Sequence, residues 1–258
     1  MAGASGSAWL RLNPCMDARD LDSKEALEAV CYPRVVESCY KRLYRLQSVG
    51  LEKVCVKGPV KIASGIGVLG KGHASIVSAF QSTRWGIVAV KSKRIDSRRR
   101  TMVKEALRIK EASRAGVAPR VYYYDDDLIV MEYIEGPTLE ELMQIQGGLT
   151  EWIIFSTLKS ARILDIMGIL HLEIHRPWKN IMYNASQASH AYIIDYDSTS
   201  RDCGNVVKVL SGLSRYSWKL VRMTSNLAIR RMFSAYKKQG CPDKLYHRIL
   251  SHVKKYME

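Results

Sequence analysis

The sequence predicts an α+β chain of two lobes: a β-rich N-lobe carrying one helix and a reduced helical C-lobe, with an N-terminal helical extension in front. Three observations predict it. Residues 63–92 hold short apolar, β-branched runs separated by glycine and polar turns. The apolar run Leu128 to Ile134 breaks at Glu135-Gly136-Pro137 and opens into a helical pattern at Thr138-Leu139, the form a hinge takes in sequence. Beyond residue 150, apolar residues recur at spacings of three and four. The boundaries read as 1–58 for the extension, 59–134 for the N-lobe and 135–258 for the C-lobe.

The 258 residues suffice for one two-lobed domain with a sizeable core. With 47% hydrophobic and 25% charged residues, the composition is that of a globular protein. No apolar run has the length to cross a bilayer and the first residues contain no signal-peptide core, so the expectation is a cytoplasmic protein without membrane contact. The six cysteines form no C-x-x-C pair, and reduced thiols are the preferred reading, intracellular proteins of hyperthermophiles being the exception. Forty Lys and Arg against 25 Asp and Glu give a charge of +15, which favours polyanionic partners. The dense run Lys91 to Arg100 reads equally as a solvated face or a polyanion patch.

In chain order, residues 1–20 are small, polar and aperiodic and read as frayed. Ser23 caps a first helix, Pro33 interrupts the pattern, and Gly50 ends a second helix. Strands follow at Ile66 to Leu69, Ile76 to Phe80 and Gly86 to Lys91. Between the first two, Gly70-Lys71-Gly72 permits close approach of main-chain N–H groups to phosphate oxygens; the β-rich run after it argues for a hairpin lid. Glu105 lies on a helix from Met102 that Gly116 terminates, where it can orient Lys91. Tyr122 to Asp127 reads as a solvated acidic turn. Residues 150–168 form an amphipathic helix begun by Thr150-Glu151.

The stretch from Asp165 to Ser200 concentrates the chemistry. A loop holds His171, Glu173, His175, Arg176, Lys179 and Asn180. Two short strands, Asn180 to Tyr183 and Ala191 to Ile194, form a hairpin that sets Asn180 beside Asp195. Two hard oxygen ligands, with the remaining coordination left to phosphate and water, suit Mg²⁺. The basic tail beyond Val206 packs as a last helical subdomain. Its Arg230, Arg231, Lys237, Lys238, Lys254 and Lys255 are candidates for holding RNA or an acidic partner.

In this order, Leu69 to Val77, Val88-Ala-Val-Lys91, Glu105, Met131-Glu132-Tyr133, His171-Leu-Glu173, Asn180 and Asp195 resemble the protein-kinase signature set. The chain resembles the protein-kinase-like superfamily over about residues 60–200. Glu105 to Gly136 is most similar to the small archaeal RIO-type kinases and to the kinase of the tRNA-modification complex. The whole resembles archaeal predicted serine/threonine kinases with an N-terminal helical extension. The resemblance implies a minimal protein-kinase-like fold and an ATP- and Mg²⁺- (or Mn²⁺-) dependent transfer to a protein hydroxyl, its own included. Gly70, Gly72 and Ser75 would form the phosphate lid, with Ser75 replacing a glycine. Lys91 would bind phosphate with Glu105 as its helix partner. Met131 would line the back of the adenine pocket, with Glu132 and Tyr133 at the hinge. Asn180 and Asp195 would hold metal.

The pattern departs from the family in places. The catalytic carboxylate position five residues before Asn180 is His175; Glu173 keeps the His-x-acid spacing at the expense of two inserted residues and is the preferred group to receive or position the hydroxyl, with His175 as its rival. Lys179 reads equally as a γ-phosphate contact or a loop cap, with Arg176 behind it. Asp195-Tyr196-Asp197 replaces Asp-Phe-Gly, with Asp197 as a turn residue or a further ligand. No Ala-Pro-Glu follows and no Arg precedes Glu173, so the peptide platform and a phosphorylated-loop anchor are expected to be missing. A small-molecule kinase and a nucleotide-binding ATPase or scaffold on an RNA–protein complex are the rival readings. His171 and His175, if helical, would offer a weak zinc alternative.

Overall fold

The computed structural model describes residues 14–184 and 190–258 of the 258-residue chain. It is mixed α+β, 43% helix and 22% strand, with an antiparallel sheet. Two units divide the chain: Met1–Ser113 with Pro119–Gly136, and Arg114–Ala118 with Pro137–Glu258.

The first unit contains strands β1 (Ala18–Asp20), β2 (Leu51–Cys55), β3 (Val60–Lys61), β4 (Gly67–Val68), β5 (Gly70–Lys71), β6 (Ser75–Ser82), β7 (Gly86–Lys93), β8 (Val121–Tyr124) and β9 (Leu128–Glu132). Its helices are α1 (Lys24–Val30), α2 (Ser38–Ser48) and α3 (Val103–Ser113). The seven-stranded sheet runs β1-β2-β6-β7-β9-β8, with β5 beside β6; β3 and β4 pair separately. Ser23 Oγ accepts from the Ala26 N–H and so caps α1. Gly50, at φ +92°, supplies the left-handed residue that ends α2. Both helices cover the sheet: Ala26, Ala29, Val30, Leu43 and Leu46 pack with Phe80, Val88, Val90 and Val130 in one core. Full burial of each large apolar side chain contributes about 1.5–3 kcal/mol. Ser78 Oγ donates to the Ala29 carbonyl, fixing α1 on β6.

Residues 14–20 correct the expectation of a frayed start. β1 pairs antiparallel with β2, Ala18 opposite Cys55. An edge strand of three residues carries no hydrophobic period, and its partner lies more than thirty residues on. Residues 1–13 lie outside the described residues.

The thiol reading is also corrected. The six cysteines form three disulfides, Cys15–Cys55, Cys31–Cys39 and Cys203–Cys241, with Cα–Cα separations of 4.5, 5.9 and 6.2 Å. Pairing partners up to 40 residues apart produce no local spacing signal.

The acidic turn proves to be a strand end and an ionic anchor. Arg42, 3% exposed, donates to the carbonyls of Val30 and Lys93 and to Asp127. Arg45 pairs with Asp125 and Asp127 at 2.8 and 3.0 Å, and Lys93 with Asp127 at 2.9 Å. Burial pushes the Asp127 carboxyl up, but hydrogen bonds from Lys93 and Arg45 and the charge of Arg42 outweigh it, leaving a pKa of about 2. A carboxyl depressed in the folded state contributes stability above its ordinary pKa and loses it as pH falls through the folded value. Thermal stability is therefore expected to fall between about pH 4 and 2, and Asp127→Asn to lower the melting temperature at pH 7 and flatten that decline.

The second unit contains helices α4 (Leu139–Ile145), α5 (Glu151–Ile166), α6 (Pro177–Asn180), α7 (Asn205–Leu213), α8 (Trp218–Ser225), α9 (Leu227–Lys238) and α10 (Asp243–Met257). Strands β10 (Ile169–His171) and β13 (Thr199–Arg201) pair, as do β11 (Ile181–Tyr183) and β12 (Ala191–Ile193). Thr138 and Glu141 form a capping box at α4. α5 is not simply amphipathic, because Thr157, Ser160, Arg162 and Asp165 are buried along with its apolar face. Each has a partner: Ser160 Oγ donates to the Ala191 carbonyl at 2.6 Å, and Arg162 donates to Tyr236, the Cys241 carbonyl and Asp243. No helix among the described residues is long and apolar enough to cross a membrane.

Candidate functional site

In the first unit, Lys91 lies within β7, two residues before its end, and only 5% of it is exposed. Its Nζ donates to Glu105 Oε1 at 2.5 Å from the facing α3. Glu105 is 1% exposed, and its second oxygen accepts from Arg99 Nη1 at 2.8 Å. Thus one buried carboxylate carries two cations. Arg99 belongs to the basic run read as a solvated face or polyanion patch. Much of that run is engaged internally: Arg94 donates to Asp96 and the Gly72 carbonyl, and Lys93 to Asp127 and the Arg100 carbonyl.

β5 and β6 form the hairpin that the two glycines predict, Gly70 opposite Val77, closed by a bond from the Gly72 N–H to the Ser75 carbonyl at 2.9 Å. A Cβ on Gly70 would meet nothing within 4 Å, and one on Gly72 nothing nearer than 3.6 Å. Neither needs a positive φ, so the fold itself does not demand glycine there; the open space above the backbone suits an approaching ligand. Ser75 is buried at the start of β6. Beside this hairpin, Leu69, Ala79, Ala89 and Cys55 form a small apolar cluster, with Val77, Met131 and Tyr133 packed against it. Met131 sits opposite Ala89 in the sheet. The Glu132 N–H donates to the Arg120 carbonyl and its carboxylate accepts from the Arg120 N–H, so these groups serve the β8–β9 edge.

In the second unit, the β11–β12 hairpin brings Asn180 and Asp195 to one end. Ile181 pairs with Ile193, and the Ile194 N–H donates to the Asn180 carbonyl at 2.9 Å. Asn180 is buried, and its Nδ2 donates to the Glu173 carbonyl at 2.8 Å, which leaves Oδ1 as the amide's acceptor atom. Asp195 is exposed and takes φ +66°, in the left-handed region that few non-glycine residues occupy. Asp197 is exposed in the turn that follows.

His171 is fully buried. Its Nε2 bonds the Ile194 carbonyl at 3.1 Å, and its ring meets Tyr196 edge-on at 5.4 Å. Burial pushes its pKa down, more than the Ile194 hydrogen bond and the Asp195 charge raise it, so the imidazole stays neutral. His175 does not share a helix with it: Nδ1 bonds the Leu172 carbonyl at 3.1 Å, and Arg176 Nε donates to Nε2 at 3.4 Å. The two imidazoles thus serve separate carbonyls. Glu173 is half-buried and meets Arg176 at 3.8 Å. Lys179 is exposed on α6. Among the described residues, no three His, Cys, Asp or Glu side chains group so as to hold a metal by themselves.

Several supports lie outside the sequence reading. Asp165 Oδ1 accepts from the N–H groups of Gly204 and Asn205 and from Asn205 Nδ2; Oδ2 accepts from the Val206 N–H and the Tyr236 hydroxyl. Asn205 in turn accepts from the His171 N–H and donates to the Ile169 carbonyl. This buried relay fastens α7 to the strand that precedes the loop. Lys208 Nζ reaches the Leu172 carbonyl at 3.3 Å and adds a cation beside that loop. Gly212 lets α7 approach: a Cβ there would lie 2.4 Å from Pro177 Cδ and 2.5 Å from the His175 carbonyl. Gly212→Val is expected to cost about 1–3 kcal/mol by overpacking and to displace residues 175–180, read as a lower melting temperature with shifted His175 resonances. Apart from the i,i+4 proximity of Lys208 to Gly212, no local signal marks these positions.

No protein-family model matches the chain, and a search of curated proteins returns no match.

Proposed function

We propose that the chain is an ATP-dependent phosphotransferase of minimal protein-kinase-like fold that transfers the γ-phosphate to a serine or threonine hydroxyl of a protein, its own chain included. The carrying observation is the buried Lys91–Glu105 pair, 2.5 Å apart. A buried ion pair is a poor way to stabilise a fold relative to apolar packing. Its retention inside a sheet, next to a glycine hairpin and an apolar patch, is explained by a ligand's phosphates.

In this reading Lys91, oriented by Glu105, neutralises the nucleotide's phosphates, and the Gly70-x-Gly72 hairpin offers N–H groups to them. The adenine packs on the apolar cluster of Leu69, Val77, Ala89 and Met131. Asn180 Oδ1 and Asp195 would be the oxygen donors for Mg²⁺ or Mn²⁺, with the Asn180 amide held by its bond to the Glu173 carbonyl. A metal held there would supply positive charge to offset the charge developing on the transferred phosphoryl group. His171, neutral and fixed on the Ile194 carbonyl, orients the residue before Asp195.

Glu173 is the group that receives or positions the acceptor hydroxyl. Both ring nitrogens of His175 are already engaged, whereas the Glu173 carboxylate has only a distant, exposed partner at 3.8 Å. Glu173→Gln is expected to lower transfer about a hundredfold and His175→Ala only a few-fold, both measured as release and transfer of radiolabelled γ-phosphate. The same assay tests the function: label on protein supports the proposal, and free phosphate alone, with no labelled acceptor, defeats it.

A small-molecule acceptor is the second reading. Only residues 198–204, containing β13, connect Asp197 to α7, which leaves little chain to build a peptide-binding platform. Label appearing on a metabolite fraction and never on protein would select it.

A further inference from the structure

The second unit carries a groove of about 590 Å³ between α8, α9 and α10 that the proposed reaction does not use. Its chemistry follows from helix periodicity. Trp218 and Arg222 stand four apart on α8, and Arg248, Lys255 and Tyr256 share one side of α10 at spacings of seven and eight, so two helices present cations and aromatic rings to one opening. Trp218 is 69% exposed, an unusual expenditure of the largest apolar side chain on solvent. Arg222, Arg248 and Lys255 are exposed and, among the described residues, have no ion pair or hydrogen-bond partner. Lys219, in the same lining, is fixed by donating to the Met257 carbonyl. Cations gathered round one opening in excess of its single carboxylate, Glu258, repel, and a polyanion relieves that repulsion.

We infer that this groove binds single-stranded RNA, with Arg222, Arg248 and Lys255 on phosphates and the Trp218 indole stacked on a base. An exposed flat indole amid unpaired cations matches the combination that single-stranded nucleic acids need, a charged track with a stacking platform. The lining also contains one carboxylate, Glu258. A phosphate repels it, but a ribose 2′-hydroxyl can donate to it, which favours RNA over DNA. Of the six tail cations singled out in the sequence, only Lys255 lines this groove; the site is therefore narrower than a generally basic tail.

The test is fluorescence anisotropy of the full chain with a labelled oligouridine of roughly 12 nucleotides, within the usual site sizes, across a salt series. Arg222→Ala with Arg248→Ala is expected to weaken binding about tenfold at low salt and to reduce the log–log salt slope by about 1.4, two phosphate contacts' worth. Trp218→Ala is expected to weaken it about fivefold or more with the slope unchanged. Arg230→Ala with Arg231→Ala removes the same charge outside the groove and is expected to leave affinity near wild type. Equal loss in that control, or no binding by the wild-type chain, overturns the groove. Oligodeoxyuridine binding as tightly as oligouridine overturns the assignment to RNA. A polyglutamate peptide that displaces the RNA at equal charge concentration, with no dependence on Trp218, overturns it in favour of an acidic protein. All substituted side chains are exposed, and an unchanged melting temperature separates lost contact from lost fold.

Discussion

Lys91→Ala is expected to reduce γ-phosphate transfer about a thousandfold, the scale of losing a group that stabilises charge in the transition state. The fold should survive the change. Lys91 is 5% exposed and its ammonium sits on Glu105, so deletion would ordinarily strand a buried carboxylate at a cost of about 3–5 kcal/mol. Here Arg99 already holds the second Glu105 oxygen at 2.8 Å, and the residual charge remains paired. Loss of activity should therefore exceed loss of stability. Glu105→Gln makes the converse case: Lys91 loses its orienting charge and Arg99 its partner, so both readouts fall. A radiolabel assay beside a thermal melt checks the pair. Full activity in Lys91→Ala would remove Lys91 from the site.

Asp195→Asn is expected to abolish transfer to a similar extent, about a thousandfold, with little change in melting temperature. Asparagine is the informative substitution because Asp195 occupies φ +66°, a conformation that Asn tolerates and Ala does not. Backbone strain is then held constant while the charge is removed. The side chain is exposed, so no core is disturbed. The loss should show as a vanished dependence on Mg²⁺ or Mn²⁺. A variant that keeps its metal dependence would contradict the assignment of Asp195, whatever its rate.

Local chemistry was legible in the chain wherever cause and effect lie a few residues apart. The Ser23 cap, the Gly50 stop, the Gly70-x-Gly72 hairpin and the two strands that bring Asn180 and Asp195 together all follow from near neighbours. What resisted reading depends on partners far along the chain. Asp127 looks like one of three solvated carboxylates until Arg42, 85 residues away, is seen bonded to it. Asp165 looks like the polar edge of a helix, yet it accepts from N–H groups of residues 204–206. The cysteines gave no spacing cue because their partners stand up to 40 residues apart. The run Lys91 to Arg100 looked uniformly basic, while Arg94, Arg99 and Lys93 each have an assigned carboxylate. Gly212 is hidden for another reason: only the packing of α7 on the loop at His175 to Pro177 gives a helical glycine its necessity. Within the second unit, the strand order that brings Asn180 and Asp195 to one hairpin end was readable, whereas the bonds that engage both ring nitrogens of His175 were not, because they depend on the fold of the 172–176 loop.

If Lys91 holds the phosphates of ATP and Asp195 the metal that accompanies them, calorimetric titration of ATP with and without Mg²⁺ will separate the two roles. The wild-type chain is expected to bind ATP more tightly with Mg²⁺ present, Lys91→Ala to weaken binding in both conditions, and Asp195→Asn to erase the metal's contribution alone. Absence of ATP binding, or binding that neither substitution alters, would contradict both roles.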